Sequence, residues 1–98
     1  MIRHIAVFRW KDGVTTDQIT EVSAALDAVA AQIEAARAYT HGPNVQPAAN
    51  RWDYGIVADF DDLEGWRSYD EHPDHARVRS EVIGPLTAAR TNLQLDLG

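Results

Sequence analysis

The sequence predicts an α+β sandwich, a four-stranded antiparallel sheet covered on one face by helices. Three observations predict it. Residues 2–10 alternate strictly, with Ile2, His4, Ala6, Phe8 and Trp10 on one face and Arg3, Ile5, Val7 and Arg9 on the other. Ile19, Val22, Leu26, Val29 and Ile33 then recur at intervals of 3 and 4, the stripe of an amphipathic helix. Two more alternating stretches flank a second helical region. The resulting order is strand, helix, strand, strand, helix pair, strand, which is the ferredoxin-like arrangement.

Each element has its own local cause. Lys11-Asp12-Gly13 turns the chain after the first strand, and Thr15 with Gln18 makes a capping box that starts the helix. Composition carries that helix to Ala38, because Glu34-Ala35-Ala36-Arg37 are all good helix formers. Tyr39-Thr40-His41 favours an extended segment, and residues 42–50 hold two prolines, a glycine and two asparagines, hence a loop. From Tyr54 to Phe60 the chain alternates again. Asp61 with Glu64 reads as a second capping box, opening a short helix with Leu63, Trp66 and Tyr69. Pro73 suits the first turn of another helix, which Gly84-Pro85 should break or kink. Leu93, Leu95 and Leu97, alternating with Asn92, Gln94 and Asp96, give a last strand.

Length and composition narrow the class of protein. The 98 residues make one domain, residues 1–98, without repeats or linkers. A net charge of −6 argues against nucleic acid, which rewards clustered basic charge. With no cysteine, disulfides, thiolate catalysis and cysteine zinc sites are excluded. No secretory signal pattern opens the chain, and no stretch approaches the ~20 apolar residues of a membrane span, so a cytoplasmic protein without a membrane partner is expected. Ile5, Val7, Ile56, Ala58 and Phe60 are expected to face away from the helices; such an apolar face marks an interface, hence a homodimer through the sheet faces.

The densest polar constellation is Tyr69-Asp70-Glu71-His72-Pro73-Asp74-His75. His75 shares a helical face with Val78 and Val82 and should point inward. His4 shares its strand face with Ala6 and Phe8. A space between sheet and helices would then gather His4, Tyr69 and His75, an imidazole as general base and a phenol as donor to an oxyanion. The structural alternative makes His75 a satisfied core histidine and His72 a helix cap. His72, His75 and His4 match no strong metal spacing, so no metal is expected. Arg77 and Arg79 could steady an anionic substrate or simply form a solvated helix face.

The N-terminal strand Ile2–Trp10, a valine-containing third strand ending Asp59-Phe60, and above all Tyr69-x-x-His72-Pro73-x-His75 resemble the stress-responsive dimeric α/β-barrel family. The resemblance covers nearly the whole chain. It implies ferredoxin-like subunits packed as a dimeric α/β barrel, with the second strand beginning near residues 35–37. It also implies cofactor-free chemistry, since the family includes a polyketide cyclase that closes a linear thioester by aldol condensation. On that pattern His75, Tyr69 and His4 are the expected catalytic residues. His72, Phe8, Val57, Leu26, Val78 and Arg79 are the expected substrate-binding residues, and no cofactor is expected. Gly55 stands where the cyclase has a pocket histidine, and Val22, Ser23 and Leu26 where it has aromatic residues, so the substrate should differ. Eight arginines against one lysine, with 15 alanines, suggest a GC-rich bacterial genome. Two functions stay open: a cofactor-independent cyclase, lyase or isomerase acting on a small carbonyl or aromatic compound, and a non-catalytic stress-response or ligand-binding dimer.

Overall fold

A computed structural model describes residues 1–98. The elements are β1 (Ile2–Trp10), α1 (Thr16–Gln32), β2 (Ala38–Pro43), α2 (Pro47–Asn50), β3 (Tyr54–Phe60), α3 (Leu63–Asp70), α4 (Pro73–Arg77), a π-helical segment (Val78–Ile83), a 3₁₀ turn (Gly84–Leu86) and β4 (Thr87–Asp96). The strands form one antiparallel sheet in the order β2-β3-β1-β4. This is the ferredoxin-like topology, with the helices on one face. It also corrects the barrel expectation: β2 and β4 are the two edges, no ladder joins them, and the sheet is open rather than closed into a barrel. No helix is long and apolar enough to cross a membrane.

The faces of β3 are the reverse of the expected ones. Ile56, Ala58 and Phe60 are buried under the helices, together with Val22, Leu26, Val29 and Ile33. The row Tyr54, Ile56, Ala58 and Phe60 is apolar throughout, whereas Gly55, Val57 and Asp59 include an acid, so the alternation itself favours this burial. The ladder with β1 decides it. His4 pairs with Ala58 and Ala6 with Ile56, and directly opposed residues share a face. Ile5 and Val7 do lie on the open face, and their companions are Val57, Leu93 and Leu95. Val57, Leu93 and Leu95 are 36%, 52% and 46% exposed.

Local chemistry explains most boundaries. Thr15 and Gln18 form the capping box, with each side chain bonded to the other's backbone N–H at 3.2 and 2.9 Å. Helix α1 nevertheless ends at Gln32. Ile33 turns into the core in an extended conformation, and Arg37 N–H already donates to the Asp59 carbonyl at 2.8 Å. Tertiary pairing overrides the helix propensity of the alanines here. The α3 cap is Asp62, which accepts from Gly65 N–H at 2.8 Å, while Asp61 pairs with Arg37 at 3.0 Å. Strand β4 starts at Thr87, well before its leucines, because its first half pairs with β1 through small and polar residues that leave no apolar alternation. At Gly84 a Cβ would lie 2.8 Å from the Arg79 carbonyl oxygen, so only glycine closes the π turn without displacing the backbone.

Candidate active site

Between the covered sheet face and the helices lies a cavity of about 360 Å³. β1 contributes His4, Ala6 and Phe8; β3 contributes Ile56; α1 contributes Leu26. The α3–α4 region supplies Trp66, Tyr69, Asp70 and His75, followed by Val78, Arg79 and Ile83 of the π segment. Arg90, Thr91 and Asn92 of edge strand β4 complete the wall. A cavity of this size suits a small ligand. One-turn π insertions recur at functional sites.

His75 is held from one side. Its Nδ1 lies 3.1 Å from the Asp70 carbonyl oxygen, which can only accept, so Nδ1 carries the proton and Nε2 is the basic atom. Burial lowers the His75 pKa, and the nearby Arg79 lowers it further, so the ring is neutral near pH 7. The Arg79 guanidinium itself is tied to Asp70 at 3.0 Å. His4 is oriented oppositely. Its Nδ1 faces the Gln94 amide nitrogen at 3.2 Å and accepts from it, leaving Nε2–H as a donor. Burial lowers the His4 pKa as well.

Tyr69 is 2% exposed. Its ring centroid lies 4.1 Å from that of His75, tilted by 44°, yet no hydrogen bond joins the two side chains. The Tyr69 hydroxyl instead meets the Tyr39 hydroxyl at 2.9 Å. Burial and the Tyr39 neighbour push its pKa far up, so Tyr69 stays a neutral phenol. Trp66, 5.9 Å from His4 ring to ring, has a buried indole N–H without a partner.

Of the residues singled out in the sequence, His4, Tyr69 and His75 therefore meet, with Phe8, Leu26, Val78 and Arg79 around them. His72 and Val57 do not join them. His72 caps α4, its Nδ1 accepting from Asp74 N–H at 3.1 Å. Val57 belongs to the open sheet face, because its ladder partner on β1 is Ile5. No cluster of three or more His, Asp or Glu side chains is arranged to hold a metal ion. The sequence reading missed Trp66, Asp70, Ile83, Arg90 and Asn92 as wall residues. Trp66 and Asp70 were within reach, being one helical turn and one residue from Tyr69; Arg90 and Asn92 needed the β1–β4 register.

His41, which the sequence placed only in an extended segment, has a bonded network of its own. His41 Nε2 donates to Asp27 Oδ1 at 2.7 Å, and Nδ1 meets the Tyr54 hydroxyl at 2.7 Å. The Tyr54 hydroxyl meets Ser23 Oγ at 2.7 Å. This chain of bonds ties β2 and β3 to α1.

The family model of the stress responsive A/B barrel domain matches residues 2–95. The chain belongs to that family. This A/B barrel domain protein is similar to a dimeric ferredoxin-like protein of unknown function from Thermobifida fusca, at 42% identity and a TM-score of 0.88, over 98% of this chain and 90% of that one. It is also similar to the uncharacterized protein SCO4036 of Streptomyces coelicolor, 32% identical over 77 residues, which cover 76% of this chain and 79% of that one. The hydroxynitrile lyase of Passiflora edulis shares the fold, at 17% identity and a TM-score of 0.86, over 99% of this chain and 93% of that one.

Proposed function

We propose that this A/B barrel domain protein binds a small carbonyl or aromatic compound in the cavity and acts on it by His–Tyr acid–base chemistry, as a cyclase or lyase. One observation carries the reading: Tyr69 and His75 are not bonded to each other but border an open cavity, with Nδ1 of His75 satisfied by backbone and Nε2 left basic. His75 Nε2 takes a proton from the carbon next to a carbonyl, and the C–H pair moves into the enolate with charge on its oxygen. His4 Nε2–H donates to that oxygen. Tyr69 packs on the imidazole and, when Tyr39 donates to it, has its own O–H free for the same oxygen. In an aldol closure the enolate carbon bonds to a second carbonyl carbon, and the alkoxide so formed takes the proton back from His75. The lyase direction is the reverse. That the same fold serves a hydroxynitrile lyase supports carbonyl chemistry on this scaffold.

The test is α-deuteration of acetophenone in D2O, followed by ¹H NMR. Wild type should exchange the methyl protons above the buffer rate, and His75→Gln should lose at least about 100-fold of that excess. A wild type no faster than buffer defeats the reading. The non-catalytic reading is favoured by one observation: His75 and Arg79 both hold Asp70, which fixes the α3–α4 turn without any turnover. It predicts shifted His4 and His75 signals on acetophenone binding, with no exchange.

We also propose that two copies associate through the open sheet face, where Ile5, Val7, Val57, Leu93 and Leu95 lie. The Thermobifida fusca relative is dimeric, which supports this. Val57→Asp should give a monomer in sedimentation velocity; an unchanged dimer would place the interface elsewhere.

A further inference from the structure

On the covered side of the sheet, the β1 and β3 rows are largely apolar, but the β4 row is not. Arg90 stands opposite Phe8, Asn92 opposite Ala6 and Gln94 opposite His4, so all three face the cavity side. The acid on this row, Asp96, lies opposite Ile2, at the end away from Arg90. β4 is an edge strand, and its polar row borders the cavity as a wall rather than forming part of the packed core. The cavity has two cations. Arg79 is neutralised by Asp70 at 3.0 Å, whereas Arg90 has neither an ion pair nor a hydrogen bond.

We infer that the ligand of this cavity carries a negative charge, such as a carboxylate, which Arg90 receives with Asn92 beside it; this rests on the carbonyl-binding reading above. The guanidinium fork suits a planar carboxylate, and the Asn92 amide adds a neutral donor. The protein as a whole bears a charge of −6, so its long-range field repels anions, and selection for one must be local. Position along the strand adds a length. Arg90 lies four residues from Gln94, ~13 Å along β4, and Gln94 is bonded to His4. A para-substituted arene spans roughly half of that length, and the long, flexible Arg90 side chain covers the rest. A ligand with its carbonyl at His4 and His75 and its anion at Arg90 therefore suits an aryl or conjugated spacer. The substrate class is an aryl or conjugated keto acid.

The experiment titrates the whole protein at pH 7.5 with 4-acetylbenzoate and with its neutral isostere 4-acetylbenzamide. Calorimetry gives the affinities, and the His4 and His75 ring signals report the site. The carboxylate should bind about three- to fivefold more tightly, the range of a partly exposed charge pair. Arg90→Gln should remove that preference while leaving the amide within twofold. Arg77→Gln, the same charge loss on α4 outside the cavity wall, should keep it. Equal affinities in wild type, or a preference that survives Arg90→Gln, overturn the anion site and leave the cavity reading standing. If neither compound moves the His4 and His75 signals, both fall.

Discussion

His41 with Tyr54 and His75 with Tyr69 pair the same two residue types, and the two pairs are built to opposite ends. His41 and Tyr54 are bonded to each other at 2.7 Å, with Asp27 on the far ring nitrogen and Ser23 on the phenol. Every polar atom of that pair has a partner. His75 and Tyr69 lie 4.1 Å apart, ring to ring, without bonding; His75 donates to the Asp70 carbonyl, and the Tyr69 hydroxyl meets that of Tyr39. A closed network rigidifies the elements it joins, whereas a pair satisfied from behind keeps a basic nitrogen available in front. The same two residue types thus serve as a brace in one place and as a candidate reaction centre in the other.

The largest expected effect breaks the symmetry directly. His75→Gln should cost at least about 100-fold in acetophenone exchange, while His41→Gln should leave exchange within twofold. Comparable losses in both variants would erase the distinction. The tyrosines give the next effect. Tyr54→Phe leaves His41 Nδ1 and Ser23 without their shared partner and should cost about 1–2 kcal/mol, read as a fall of roughly 4–16 °C in Tm. Tyr69→Phe should slow exchange about tenfold and cost about 1 kcal/mol or less, since Tyr39 loses one bond. The smallest effect is in pH. Burial puts the folded pKa of both His4 and His75 below the 6.5 of a free imidazole. The folded state then binds fewer protons than the unfolded one just below pH 6.5, so stability is full above that value and falls as pH drops through the window beneath it. Thermal scans between about pH 7.5 and 5 should show this slope, and His75→Gln should flatten it. In exchange rates the base limb should have its midpoint below pH 6.5, with a plateau at neutrality.

Most of the fold was legible because each element carries its own punctuation: the Thr15–Gln18 box, Pro73 at a helix start, Gly84-Pro85 at a helix end. The features that escaped were relational. Ile56 sits in the wholly apolar row of β3 and Val57 in the row with Gly55 and Asp59, but placing the apolar row on the helix side also requires its register with His4, Ala6 and Phe8 of β1. Likewise Leu93 and Leu95 advertised a strand, but its polar row gained meaning only once Arg90 was set against Phe8, 82 positions earlier in the chain. His75 and Tyr69 were visible as a local motif on consecutive helices, and His4 as their strand-side companion. His41 had no such local signature, because its partners Asp27 and Tyr54 come from separate elements on either side of β2.

The π turn at Val78–Ile83 gives the molecule a way to change by length rather than by composition. A π turn carries one residue more than an α turn over about the same rotation, so deleting one residue there would tighten it to an α turn and reposition the side chains of the turn itself. β4 would hold its register, being pinned by its ladder to β1 and by the bond from Lys11 N–H to the Leu86 carbonyl at 2.7 Å. The adjustment would fall on Val78, Arg79 and Ile83, one wall of the cavity. Among relatives, single-residue gaps at this point would mark changes of ligand even where the motif around His75 is unaltered.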